Sequence, residues 1–112
     1  PLSRYSEMVD FSKNEVRDLT AYLFGHAGDG NIHVHVMDDP QDAKRWARVE
    51  EATRSIVMKA LEFEGTCTGE HGIGIGKSRF METEHGASLM LMKRLKALLD
   101  PENLFNPGKF FL

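Results

Sequence analysis

The stretch that most constrains this chain is GHAGDGNIHVHV, Gly25 to Val36, where a glycine-rich tetrapeptide between two histidines runs into a strict alternation. Ile32, Val34 and Val36 fall on one parity, and His33 and His35 on the other. Successive side chains of a strand point to opposite faces, so this pattern predicts a strand with one buried face. The preceding LTAYLFGH, residues 19–26, is rich in β-formers. Asp29-Gly30 suits a two-residue type I′ turn, in which both central positions need positive φ, and it predicts a β-hairpin over residues 20–37. In that register Gly28 faces Asn31, Ala27 faces Ile32, His26 faces His33, and Phe24 faces His35. The facing imidazoles have Cβ atoms about 5 Å apart. Leu23, Ala27, Ile32, Val34 and Val36 share the opposite, core-facing side.

The flanking segments read as helices. Leu2, Tyr5, Met8 and Val9 in residues 2–12 recur at helical spacing, while the polar KNEVRD, residues 13–18, is expected as a turn or loop. Asp39-Pro40 offers an N-cap and a first-turn proline. The stripe Trp46, Val49, Thr53, Ile56, Ala60 and Phe63 then defines a long amphipathic helix that ends at Gly65, the expected C′ residue. After the glycine-rich GTCTGEHGIGIGK, the segment ASLMLMKRLKALL places Leu91, Leu95 and Leu98 on one helix face, suited to a core or to a subunit interface. Asp100-Pro101 stops that helix, and a turn-rich aromatic tail follows. The fold class is α+β, an antiparallel sheet with helices packed on one face. The 112 residues suit one domain, 1–112, with a single core, and are too few for separate cofactor and substrate domains.

Charge and composition exclude several partners. The net charge of −3 comes without a basic stripe, which argues against nucleic acid. No apolar run approaches a transmembrane span and no signal peptide is visible, so the expected location is cytoplasmic, at most peripheral to a membrane within a complex. Cys67 is the only cysteine; it excludes an internal disulfide and fits a reducing compartment. The first residue is Pro1, which points to a processed or truncated product.

Two imidazoles make a weak metal site, and spacing alone leaves a solvated polar face equally open. A third ligand is available in GEHG, where Glu70 completes the His₂Glu set of catalytic zinc sites; manganese, iron and cobalt also fit such donors. With Glu70 on the metal, His71 projects elsewhere and is free to act as a base. Glycines 69, 72, 74 and 76 allow close approach of backbone to a ligand. GIGIGKS lacks the Walker spacing, which argues against nucleotide binding. Cys67 reads as inert and His85 as structural or solvated, while Lys77 and Arg79 either attract an anionic substrate or are simply solvated.

GHAGDGNIHVHV, GEHGIGIGKSRF and LLDPENLFNPGKF occur in this order, preceded by PLSRYSEMV. Together they resemble the C-terminal, cap and substrate part of FAD-linked oxidases and dehydrogenases of the vanillyl-alcohol oxidase type, whose members include D-lactate dehydrogenase, the glycolate oxidase FAD subunit and D-2-hydroxyglutarate dehydrogenase. The resemblance implies half of a ferredoxin-like cap followed by a C-terminal helical segment. It implies a divalent metal, zinc or manganese, on His26, His33 and Glu70, with His71 as the base that takes the substrate hydroxyl proton. His35 holds the position that contacts substrate, which is asparagine in some members. Asn106 and Lys109 match the tail that returns towards FAD. The implied substrate is a small 2-hydroxy acid, polarised by the metal as a Lewis acid, with the flavin carrying the redox chemistry. In the family the flavin-binding domain and the first half of the cap precede this region, and neither is present in these residues. The chain is therefore expected as a C-terminal fragment or one piece of a split enzyme, inactive without a flavin-binding domain or subunit, and as a homodimer through surfaces left uncovered. A non-catalytic assembly module that retains the cap fold is the alternative. A stand-alone metal hydrolase ranks last, since no oxyanion hole or nucleophile beyond metal-bound water is legible.

Overall fold

The computed structural model describes residues 1–109. The chain divides into two compact units, Pro1–Thr66 and Cys67–Leu112. The class is α+β, as expected, with a two-stranded antiparallel sheet and helices.

In the first unit a 3₁₀ turn, Leu2–Arg4, leads into α1, Tyr5–Glu15. The helix thus runs three residues into the segment expected as a loop, through Lys13, Asn14 and Glu15. Lys and Glu are good helix formers, and their polarity marks the solvent side rather than a break. Strands β1, Ala21–Phe24, and β2, His33–Val36, follow, and then α2, Ala43–Glu62. Val16, Val49, Ala52, Val57 and Phe63 are buried and form the core of this unit. The α2 stripe is therefore rotated from the expected one: Ala52 is fully buried, whereas Thr53 is exposed and donates its hydroxyl to the Val49 carbonyl at 2.8 Å.

Both ends of α2 differ from expectation for local reasons. The N-cap is Asp42, not Asp39, because its carboxylate accepts the Lys44 and Arg45 N–H groups, each at 3.1 Å. The Asp39 carboxylate accepts instead from Gln41 N–H at 2.8 Å, shaping the turn before the helix. At the C-terminus the left-handed residue is Glu64, φ 60°, rather than Gly65. Gly65 N–H donates to Ala60 O at 2.8 Å and Glu64 N–H to Leu61 O at 2.9 Å, the paired bonds of a Schellman motif with Glu64 at C′. Gly65 serves close approach, since a Cβ there would meet Ala60 O at 2.9 Å.

Arg48 ties α2 to the end of α1. Its guanidinium donates to the Glu15 carbonyl at 2.6 Å and to both Asp18 carboxylate oxygens at 2.9 and 3.0 Å. This fork satisfies a carbonyl at the helix end and holds the Asp18 carboxyl below its ordinary range.

The second unit contains a 3₁₀ turn, Ser78–Phe80, then α3, Met81–His85, and α4, Ser88–Leu99. Cys67, Phe80 and Asp100 are buried. Asp100 ends α4, as its place before Pro101 predicts, and its carboxylate accepts from Lys96 Nζ and from the Leu104 and Phe105 N–H groups at 2.7 and 2.9 Å. Lys96 foremost, with those two amides, draws the Asp100 carboxyl below its ordinary range. Leu91, Leu95 and Leu98 are 60, 49 and 75 % exposed, so the stripe on α4 is surface and not core. Among the described residues no helix is long and apolar enough to cross a membrane.

Candidate metal centre

The hairpin forms, but with a longer loop than Asp29-Gly30 alone. Ala21 pairs with Val36, Tyr22 with His35, Leu23 with Val34 and Phe24 with His33. His26 N–H donates to Asn31 O at 3.1 Å, and Asn31 N–H returns to His26 O at 3.2 Å. This reciprocal pair closes a four-residue loop over 27–30, in which Ala27–Asp29 make a 3₁₀ turn and Gly30 takes φ 72°, ψ 21°. Only the glycine enters the left-handed region, so Asp29 escapes the strain that a type I′ turn imposes on a residue with a Cβ. Gly25 has its own constraint: a Cβ there would lie 2.2 Å from Asn31 O, so only glycine lets the strands approach at the loop.

The register is therefore shifted by two residues from the expected one. An even shift preserves parity, so the assignment of faces survives. Ala21, Leu23, Val34 and Val36 are half-buried, whereas Tyr22, Phe24 and His35 are exposed on the other face, with His33 partly covered. Ala27, expected on the core side, is exposed because it lies in the loop. His33 stands opposite Phe24 rather than opposite His26, and His35 opposite Tyr22. The His26–His33 pair is thus diagonal, yet the rings still meet, with centroids 5.8 Å apart and planes at 84°.

A nitrogen of each ring lies within 4.8 Å of the other. Two nitrogens on one tetrahedral zinc are about 3.3 Å apart, from bonds of roughly 2.0–2.1 Å. Small imidazole rotations close that difference, so the pair fits a divalent ion. His26 is exposed and reachable.

The remaining site residues of the sequence reading lie in the second unit. Glu70 and His71 are neighbours on an exposed loop, with His71 Nε2 3.5 Å from the Glu70 carboxylate. Gly72 and Gly74 turn that loop at φ 75° and 53°, and the Thr68 hydroxyl donates to Gly72 O at 2.9 Å. Asn106, φ 51°, and Lys109 share one exposed turn, in which Lys109 N–H donates to Asn106 O at 3.1 Å. Phe110, the end of the third motif, lies outside the described residues.

His85 is half-buried beside Glu84 at 3.8 Å, in keeping with a structural role. Arg79 lies over the Phe80 ring at 5.0 Å. Cys67 is a free, buried thiol whose backbone N–H donates to the Glu84 carboxylate at 3.0 Å. Burial first, then Glu84, pushes the thiol from 9.0 up to about 11. Raising a thiol by two units removes about 99 % of its thiolate at pH 8, and the thiolate is the nucleophile. Iodoacetamide is therefore expected to label Cys67 about a hundredfold more slowly than a free thiol at pH 8, with the rate still climbing above pH 10; labelling that levels off near pH 9 contradicts this.

The sequence reading missed Phe24. Its ring stacks on His33 at 5.1 Å and 20° and meets His35 edge-on at 4.8 Å and 69°. Its parity with the histidines was visible in the alternation, but an exposed phenylalanine carries no signal of chemistry by itself.

Residues 1–110 match the family model described as FAD linked oxidases, C-terminal domain. Among curated proteins, the chain is 43% identical over 112 residues to a mitochondrial D-lactate dehydrogenase (cytochrome) of Arabidopsis thaliana, covering 97% of this chain and 20% of that protein. It is 44% identical over 95 residues to the glycolate oxidase subunit GlcD of Bacillus subtilis, covering 84% of this chain and 20% of the relative. It is 36% identical over 97 residues to a D-2-hydroxyglutarate dehydrogenase of Xanthomonas citri pv. viticola, covering 84% and 21%. The chain spans about a fifth of the length of these relatives.

Proposed function

The chain belongs to the family of the C-terminal domain of FAD linked oxidases, and we propose that it is the metal- and substrate-binding part of an FAD-dependent dehydrogenase of small 2-hydroxy acids. The names of the relatives, which act on D-lactate, glycolate or D-2-hydroxyglutarate, support that substrate class. The observation that carries the reading is the pairing of the His26 and His33 rings at the closed end of the hairpin. In this reading His26, His33 and Glu70 hold a divalent ion, zinc or manganese. The ion, when bound, supplies Lewis acidity towards the hydroxyl and carboxylate oxygens of the acid. His71, whose Nε2 lies 3.5 Å from the Glu70 carboxylate, accepts the hydroxyl proton at a ring nitrogen. His35, exposed on the same sheet face as His33, contacts the substrate.

FAD, when bound, supplies the two-electron acceptor. Asn106 and Lys109 would contribute contacts to it, and a flavin-binding domain or subunit would hold most of it. Residues 1–112 act as one functional domain in this reading, without turnover of their own. A reducing, cytoplasm-like location is supported by the single free thiol.

Elemental analysis of chain purified without chelator tests the proposal. Wild type is expected to carry close to one equivalent of zinc or manganese, and His26→Ala to carry none. Equal, negligible metal in both sinks the metal reading. It favours the second reading, a non-catalytic assembly module that pairs two copies, which the apolar surface of Met90, Leu91, Leu95, Leu98 and Leu99 on α4 supports.

A further inference from the structure

We propose that Phe24 is a positioning residue for the hairpin imidazoles, acting through ring stacking rather than through burial; this rests on the metal reading above. Phe24 is 53 % exposed, so removal from water does not explain its presence. Its ring is instead flanked by two imidazoles, parallel to His33 at 5.1 Å and edge-on to His35 at 4.8 Å. His33 in turn meets His26 edge-on at 5.8 Å. Four rings thus run in a row across one sheet face in the order His35, Phe24, His33, His26, and all four belong to the first unit.

The strand pairing makes this row possible. Phe24 is the direct cross-strand partner of His33, and His35 is two residues further along the same strand face. A histidine side chain has two free torsions, and a ligand must hold its nitrogen within about 0.5 Å of the productive place. A neighbouring ring limits those torsions. A flat aromatic stacked on His33 fixes the ring plane, and offset stacking and edge contacts are the geometries aromatic pairs prefer. Phe24 also separates the imidazole assigned to the ion from the one assigned to the substrate, so one side chain orients both.

Cobalt(II) titration of the full chain, followed by visible absorption, tests this with Phe24→Ala, Phe24→Leu and Phe24→Tyr beside wild type. Leucine keeps apolar bulk but has no ring plane; tyrosine keeps the ring. Phe24→Ala and Phe24→Leu are expected to weaken cobalt binding about tenfold, in the range seen when groups that orient a ligand are removed, and to change the ligand-field bands. Phe24→Tyr is expected to restore both. Thermal melts confirm that each variant is folded, and the leucine–tyrosine comparison stands even where alanine fails to fold. Equal affinity and spectra in all four proteins, or rescue by leucine as complete as by tyrosine, overturns the stacking role while leaving the metal reading intact. Absence of a cobalt spectrum in wild type overturns both.

Discussion

Gly25→Ala is expected to lower the melting temperature of the first unit by roughly 10–20 °C. The added Cβ meets backbone on the opposite strand, 2.2 Å from Asn31 O and 3.0 Å from its carbonyl carbon. No rotamer change relieves a clash between two backbones, so the ladder has to part where His26 and Asn31 exchange their hydrogen bonds. Forced overpacking costs about 1–3 kcal/mol, and the upper end applies here because two backbone bonds are lost as well. For a domain of this size each kcal/mol is worth about 4–8 °C. Two other loop glycines supply the scale. Gly30 has room for a Cβ but sits at φ 72°, so Gly30→Ala is expected to cost only about 1–2 kcal/mol of left-handed strain. Gly28 has neither a neighbour within 4 Å nor a positive φ, and Gly28→Ala is expected to stay within about 0.5 kcal/mol of wild type. Circular-dichroism melts that rank the three in any other order refute the close approach at Gly25. Because that approach also sets the spacing of His26 and His33, Gly25→Ala should lose metal along with stability, whereas Gly28→Ala should keep it.

The face assignment of the hairpin was readable because alternation is a property of parity, and parity survives an even slip in register. The register itself was not readable. A two-residue turn and a four-residue loop both suit Asp29-Gly30 by residue type, and they differ in whether Ala27–Asp29 turn as a 3₁₀ segment and whether His26 pairs with Asn31 or His33. Helix α2 shows the same limit. Its amphipathic stripe located the helix, but Asp38, Asp39 and Asp42 all suit an N-cap by type. Only Asp42 lies where its carboxylate reaches two free N–H groups. Asp38 takes the Arg45 side chain instead. The motifs supplied His26, His33, Glu70 and His71 as chemistry-bearing residues. They were silent on Phe24, whose part depends on a ring-to-ring distance that no residue type announces. Arg48 was equally silent, since a surface arginine becomes a link between helices only once the end of α1 is placed beside it.

Glu70→Gln and His71→Ala are expected to separate cleanly, although the residues are adjacent and their side chains lie 3.5 Å apart. Glutamine keeps the shape and one carbonyl oxygen but gives up the charge. A divalent ion on two neutral imidazoles has no other anionic donor in the proposed set. Glu70→Gln should therefore weaken zinc or cobalt binding by more than the roughly tenfold to hundredfold that losing an outer partner of a ligand costs. His71→Ala removes a group assigned to the proton and not to the ion, so metal content should be unchanged. In the assembled, FAD-containing enzyme its turnover should fall by about 10²–10⁴, the range for loss of a positioned base. Metal content and turnover thus fall together in one variant and part company in the other. The reverse pattern, with metal lost in His71→Ala and kept in Glu70→Gln, makes His71 the third ligand. It leaves Glu70 as the carboxylate that orients that imidazole, an arrangement metal-bound histidines commonly use, and the base then has to be sought elsewhere.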